Sequence, residues 1–108
     1  MKAVLYCRVD GPESEQALEM LDHQRRQLID YAQENKIPFT NVYMDCGYTG
    51  RSLDRPGLQK ALAEIHQGHA GMILAVNSNR LFRGPLPPEL RGIPVHTVFK
   101  EPSRELER

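Results

Sequence analysis

Four short apolar runs alternate with segments of helical period, and this order limits the fold more than any other feature of the chain. Lys2 to Val9 is rich in strand formers and stops at Asp10-Gly11-Pro12, so it reads as a buried strand. From Ser14 to Asn35 the spacing becomes helical, with Leu18, Leu21, Leu28 and Ala32 on one face and Asn35 and Pro38 marking the end. Phe39 to Asp45 is a second strand, and Cys46 to Arg55 a loop hinged at Gly47 and Gly50. A second helix begins near Pro56, which suits a first helical turn, carries Leu58, Leu62 and Ile65 on its buried stripe, and ends at Gly68. Met72 to Val76 reads as a central strand covered on both faces. Asn77-Ser78-Asn79 offers polar caps for a helical turn starting at Arg80, which Pro85, Pro87 and Pro88 cut short. Val95 to Phe99 alternates as a fourth strand, and the tail from Lys100 to Arg108 is polar and expected to fray.

Strands and helices in this order predict an α/β fold: a three-layer sandwich with a small, mainly parallel four-stranded sheet between helices. With 108 residues and 40% hydrophobic residues the chain suits one module. No apolar stretch approaches the roughly 20 residues of a membrane helix, and the start lacks the pattern of a secretory signal, so a cytoplasmic chain without membrane contact is expected. Cys7 and Cys46 give neither a disulfide framework nor a metal motif, and His66 and His69 have no further ligands to complete a zinc set. Formal net charge is zero, but residues 1–50 carry a net of minus three and residues 51–108 a net of plus three. That balance does not by itself announce a nucleic-acid binder.

In parallel sheets the functional groups collect on loops at the carboxyl ends of the strands. Those ends carry Tyr6-Cys7-Arg8-Val9-Asp10, then Asp45-Cys46-Gly47-Tyr48-Thr49-Gly50 with Arg55-Pro56 shortly after, and finally Asn79-Arg80-Leu81-Phe82-Arg83. In order and interval this resembles the catalytic domain of the serine site-specific recombinases, the resolvase and invertase family, with its Y-x-R-V-S, D-x-G-x-[ST]-G, R-P and D-R-L-x-R motifs.

The resemblance implies a resolvase-like domain over residues 1–108, acting in DNA recombination. In that family a serine hydroxyl attacks a DNA phosphate and holds the 5′ phosphate until the strands are resealed, with no metal or other cofactor. By position Arg8, Arg80 and Arg83 would form a guanidinium nest for the phosphate. Asp45 would orient an arginine by a salt bridge, Arg55 would support the loop, and Gln24 would face the site from the first helix. Tyr6 and Thr49 would help to support the site or the DNA phosphate. Each has a plainer reading: Arg55-Pro56 is also turn chemistry, Gln24 also suits an exposed helix face, and Asp45, Gly47 and Gly50 also suit a turn. Arg8 is harder to reduce, because a charge within an apolar strand needs an anion or an acidic partner.

The chain departs from the family pattern at three places. Asp10 stands where the nucleophilic serine belongs, and a carboxylate repels a phosphate by about 4 kcal/mol at ~4 Å in an effective dielectric of ~20. Asn79 stands where D-R-L-x-R has its acid. Beyond Arg83 only nine residues precede Ile93, and the family's long dimerisation helix and DNA-binding domain are expected to be absent. Asp10 is therefore expected to pair with Arg8, Arg80 or Arg83 and fill the phosphate site from within, leaving cleavage impaired and DNA contact weak or non-specific. With Glu13, Asp10 also suits a helix cap. Two further readings stand: a non-catalytic module associating with itself or with full-length recombinase subunits, and a Mg²⁺ site on Asp10 and Asp45.

Overall fold

The computed structural model describes residues 1–99, and the expectation for the tail from Lys100 onward lies outside them. The elements follow one another as β1 (Ala3–Val9), α1 (Glu15–Glu34), β2 (Phe39–Cys46), α2 (Pro56–His66), β3 (Met72–Ala75), α3 (Ser78–Leu81) and β4 (Val95–Thr97). The four strands form one sheet in the order β2-β1-β3-β4, every pairing parallel. This is the expected α/β architecture.

All seven residues of β1 are buried, and the two-residue period of the strand divides them between two cores. Ala3, Leu5, Cys7 and Val9 pack with Ala17, Leu21, Leu28 and Ala32 of α1. Val4 and Tyr6 turn the other way, onto Leu58, Ala61 and Leu62 of α2 and onto Leu81, Phe82 and Leu90. The alternation puts Arg8 and Asp10 in phase with Tyr6.

Local signals set most of the boundaries. Ser14 caps α1, its hydroxyl accepting from the Ala17 amide at 3.0 Å, so the cap proposed for Asp10 and Glu13 belongs to Ser14. The turn at α3 begins earlier than the sequence reading placed it: the Asn77 side chain accepts from the Arg80 amide, and Ser78 and Asn79 lie inside the helix. At α2 the residue before Pro56 supplies no side-chain cap. The carboxylate of Asp45, from β2, takes that role across the fold. Strand β4 is shorter than expected, although the Val98 and Phe99 amides still donate to Ala75 and Val76 carbonyls. Among the described residues no helix is long and apolar enough to cross a membrane.

Candidate active site

Arg8, next to last in β1, has none of its surface exposed. Its guanidinium is held by carbonyls of α3 and of the loop after β2: Nε donates to Arg80 O at 3.0 Å, Nη1 to Tyr48 O at 3.1 Å and Nη2 to Asn79 O at 2.6 Å. Nη1 also donates to Asp10 Oδ1. The other oxygen of Asp10 lies 2.7 Å from Arg83 Nη2, so one carboxylate bridges a buried guanidinium and a surface one. Asp10 is 41% exposed and Arg83 44%, which leaves this bridge open to solvent.

The expected pairing of Asp10 thus involves Arg8 and Arg83. Arg80 is instead turned toward the strand, with Nη1 3.3 Å from the Arg8 carbonyl. Burial, and then the like charges of Arg55, Arg83 and Arg80, pull the Arg8 guanidinium down to about 10, with Tyr6 opposing them. Cations still crowd one another here although an acid is in place. Gly50 makes the close packing possible, since a Cβ on it would stand 2.6 Å from Arg8 Nη2 and 3.0 Å from Arg83 Cγ.

A second layer lies beneath. Arg55 is fully buried and donates to Ser52 O at 2.8 Å, Leu81 O at 2.6 Å, Arg80 O at 3.4 Å and the Tyr6 hydroxyl at 3.1 Å. It ties the loop before α2 to the α3 turn. Tyr6 in turn donates to Asp45 Oδ2 at 2.7 Å. Burial first, and then the Asp45 carboxylate, push the Tyr6 phenol well above its ordinary value, against the pull of Arg55.

Asp45 differs from its expected role. Among the described residues it forms no salt bridge with an arginine; it accepts from Tyr6, from the Gly57 amide at 2.8 Å and from the Leu58 amide at 3.0 Å. The free amides at the start of α2 satisfy the carboxylate where a guanidinium had been expected. Gly57 permits the approach, because a Cβ there would stand 2.9 Å from Asp45 Oδ2.

Gln24 is buried and faces the site, which excludes an exposed role for it: its amide accepts from the Arg8 amide at 3.2 Å and donates to the Arg8 carbonyl at 3.0 Å. Thr49 lies on the exposed loop, where its hydroxyl accepts from the Arg51 amide. Asn79 is exposed and contributes its carbonyl to Arg8. Backbone groups of Tyr48, Gly57, Leu58, Arg80 and Leu81 were not foreseen, since residue type carries no signal for a carbonyl or amide used in this way. Asp10 and Asp45 are both committed to protein donors, which leaves the Mg²⁺ reading without free ligands. Among the described residues no group of three or more His, Cys, Asp or Glu stands ready to hold a metal.

A parallel sheet with Arg8, Arg80 and Arg83 gathered at its carboxyl edge defines a resolvase-type α/β domain. The chain belongs to the resolvase N-terminal domain family, whose model matches residues 3–86. The N-terminal catalytic domain of TP901-1 integrase is similar, with a TM-score of 0.69 and 26% identity over 78% of this chain and 62% of that one. The C-terminal catalytic domain of ISC1926 TnpA, an IS607-like serine recombinase, matches with a TM-score of 0.78 and 24% identity, over 99% of this chain and 74% of that one. A resolvase family site-specific recombinase from Streptococcus pneumoniae matches at 0.62 and 22%, over 78% of this chain and 58% of that one. The chain therefore spans less than two thirds of the integrase domain. No curated protein sequence matches it.

Proposed function

We propose that this domain engages DNA phosphates in recombination and that Asp10 holds it in a non-cleaving state. The observation that carries the reading is the Asp10 carboxylate spanning Arg8 and Arg83, in the position from which the family's serine would attack. Charge-assisted contacts of this kind suit a phosphodiester, and an internal carboxylate competes for them. DNA contact is weak and non-specific in this form, falls steeply with salt, and takes place in the cytoplasm. Asp10 lacks the hydroxyl that could form a phosphoserine, and Asn79 supplies no carboxylate for proton transfer. No metal or cofactor enters this reading.

The test restores the missing groups. Asp10→Ser, with and without Asn79→Asp, is incubated with supercoiled plasmid, and protein joined to a 5′ DNA end is sought after denaturation. In that step the serine oxygen bonds to phosphorus, the P–O3′ bond breaks, and the 3′ oxygen leaves with a proton. The reading expects adducts only after substitution. Adducts formed by the unaltered chain would overturn it.

A second reading, an association module for recombinase assemblies, is favoured by apolar surface near the β4 edge, where Val95 and Phe99 are exposed. Sedimentation alone and with a full-length recombinase separates the two. A strict monomer indifferent to that partner counts against association.

A further inference from the structure

Asp10 is bonded to Gly11, and the chemistry of that pair is separate from the bridge to Arg8 and Arg83. Of the five aspartates in the chain only Asp10 precedes a glycine. The pair lies past the end of β1 and before the Ser14 cap of α1, and both residues are exposed. Gly11 has no side chain to shield its amide, and a Cβ built on it would meet nothing within 4 Å. Among the described residues that amide donates no hydrogen bond. The other aspartates are placed differently. Asp22 and Asp30 lie inside α1, where helical bonding occupies the amide that follows each. Asp45 is buried and accepts from three donors, and the Arg55 amide that follows Asp54 donates to Leu53 O at 2.8 Å.

We propose that Asp10 and Gly11 form a self-modification site, at which the glycine amide closes on the aspartate carboxyl and removes the anion that fills the arginine nest. In the first step Gly11 N bonds to Asp10 Cγ, and the amide proton leaves with the carboxyl hydroxyl as water, giving a five-membered imide. Water then adds to one imide carbonyl. Breaking the Cγ–N bond restores aspartate. Breaking the bond from the Asp10 carbonyl carbon to Gly11 N gives isoaspartate, whose main chain runs through Cβ and Cγ. Water is the sole co-reactant.

Either product undoes the bridge. The imide carries no charge, and in isoaspartate the carboxylate sits directly on Cα, one carbon shorter than before. The Gly47 amide holds the Val9 carbonyl at 3.0 Å, so the chain just before Asp10 is fixed and the shortened group does not span both Arg8 and Arg83. The bridge also sets the rate. Both guanidiniums bind a carboxylate, whereas ring closure needs a carboxyl group that can shed hydroxyl, so release of the 44% exposed Arg83 speeds the reaction. The modification goes beyond the non-cleaving reading, and its consequence for DNA rests on that reading.

The experiment incubates the chain in mildly acidic and in neutral buffer and follows the peptide carrying Asp10 by mass spectrometry after digestion. The expected products are an imide lighter than the parent by one water, and then an isoaspartyl peptide of the parent mass. The latter separates on chromatography and accepts a methyl group from an isoaspartyl methyltransferase. Gly11→Ala, whose added carbon has open space, keeps the fold and slows the conversion about tenfold. Arg83→Gln takes one guanidinium from the carboxylate and speeds it by a similar factor. The isoaspartyl protein, purified from the mixture, is expected to bind a short DNA duplex about tenfold more tightly than the parent at the same ionic strength. An Asp10 peptide that remains ordinary aspartate in the parent, or a Gly11→Ala chain that converts as fast, overturns the modification. Conversion that leaves duplex binding unchanged overturns the release and, with the chemistry established by mass, turns the failure onto the phosphate reading of the nest.

Discussion

Gln24 stands in for a missing strand beside Arg8. The β1–β3 pairing runs only from Ala3 opposite Met72 to Leu5 opposite Leu74, and the chain then turns from β3 into α3. At Arg8 the side-chain amide of Gln24 offers the acceptor and donor that a neighbouring strand would have supplied, at 3.2 and 3.0 Å. Both contacts are buried, and α1 is fixed to the strand at the point where the site begins.

Replacing Gln24 by Ala leaves the buried Arg8 amide without its partner and the Arg8 carbonyl with only the 3.3 Å contact from Arg80, at a cost of about 1–3 kcal/mol. Gln24→Glu keeps the acceptor and loses the donor, so it falls between Ala and the parent chain. Urea denaturation of the three proteins orders them. Equal midpoints would show that solvent reaches the Arg8 backbone as effectively as Gln24 does.

Tyr6, Asp45 and the amides opening α2 form one network, so their substitutions are expected not to add. Asp45→Ala removes the acceptor for three donors and should cost about 2–4 kcal/mol, while Tyr6→Phe alone costs about 1 kcal/mol. In the double variant the coupling should be about 0.5–3 kcal/mol, read from a denaturation cycle. Strict additivity would mean that the Tyr6 hydroxyl does not depend on Asp45.

The pattern of strands and helices was legible because each element carries its own signal: an unbroken apolar run for β1, a helical stripe from Leu21 to Ala32, a proline at the start of α2. Arg8 was legible because its charge contradicts its surroundings. The carboxylate of Asp45, expected to pair with an arginine, accepts from Tyr6 and two backbone amides instead. Sequence shows an acid near arginines, but the free amides of a helix start, Gly57 and Leu58, become competitors only once the chain is folded. Of the three consecutive polar residues that present equivalent caps, Asn77 takes the role, and Ser78 and Asn79 enter the helix.

Gly50→Ala tests how closely the nest is packed. The added carbon would fall 2.6 Å from Arg8 Nη2, whose guanidinium cannot simply swing aside because three carbonyls hold it. Overpacking of this kind costs about 1–3 kcal/mol. The displacement should also disturb the Asp10 bridge, visible as side-chain shifts of Arg8 and Arg83 in guanidinium-detected NMR. A variant as stable as the parent, with those signals unmoved, would show that the loop carrying Gly50 yields first.

Cys7 makes the pH dependence of stability predictable in sign. Burial, opposed by the charges of Arg25 and Arg80, pushes its thiol up to about 12 from an ordinary value of 9.0. The folded state keeps the proton that the unfolded chain releases, so this stabilising contribution is complete below pH 9 and is lost as pH rises toward 12. Tyr6 acts in the same direction, its phenol also being raised. Between pH 8 and pH 10 the single thiol should account for a loss of roughly 1.4 kcal/mol. Cys7→Ala should flatten the slope by that amount, and an unchanged slope would assign it to other groups. Thiol labelling gives an independent check: at pH 8 Cys46, half-buried at the end of β2, should react with an aromatic disulfide reagent, whereas Cys7 should react only at the rate of unfolding.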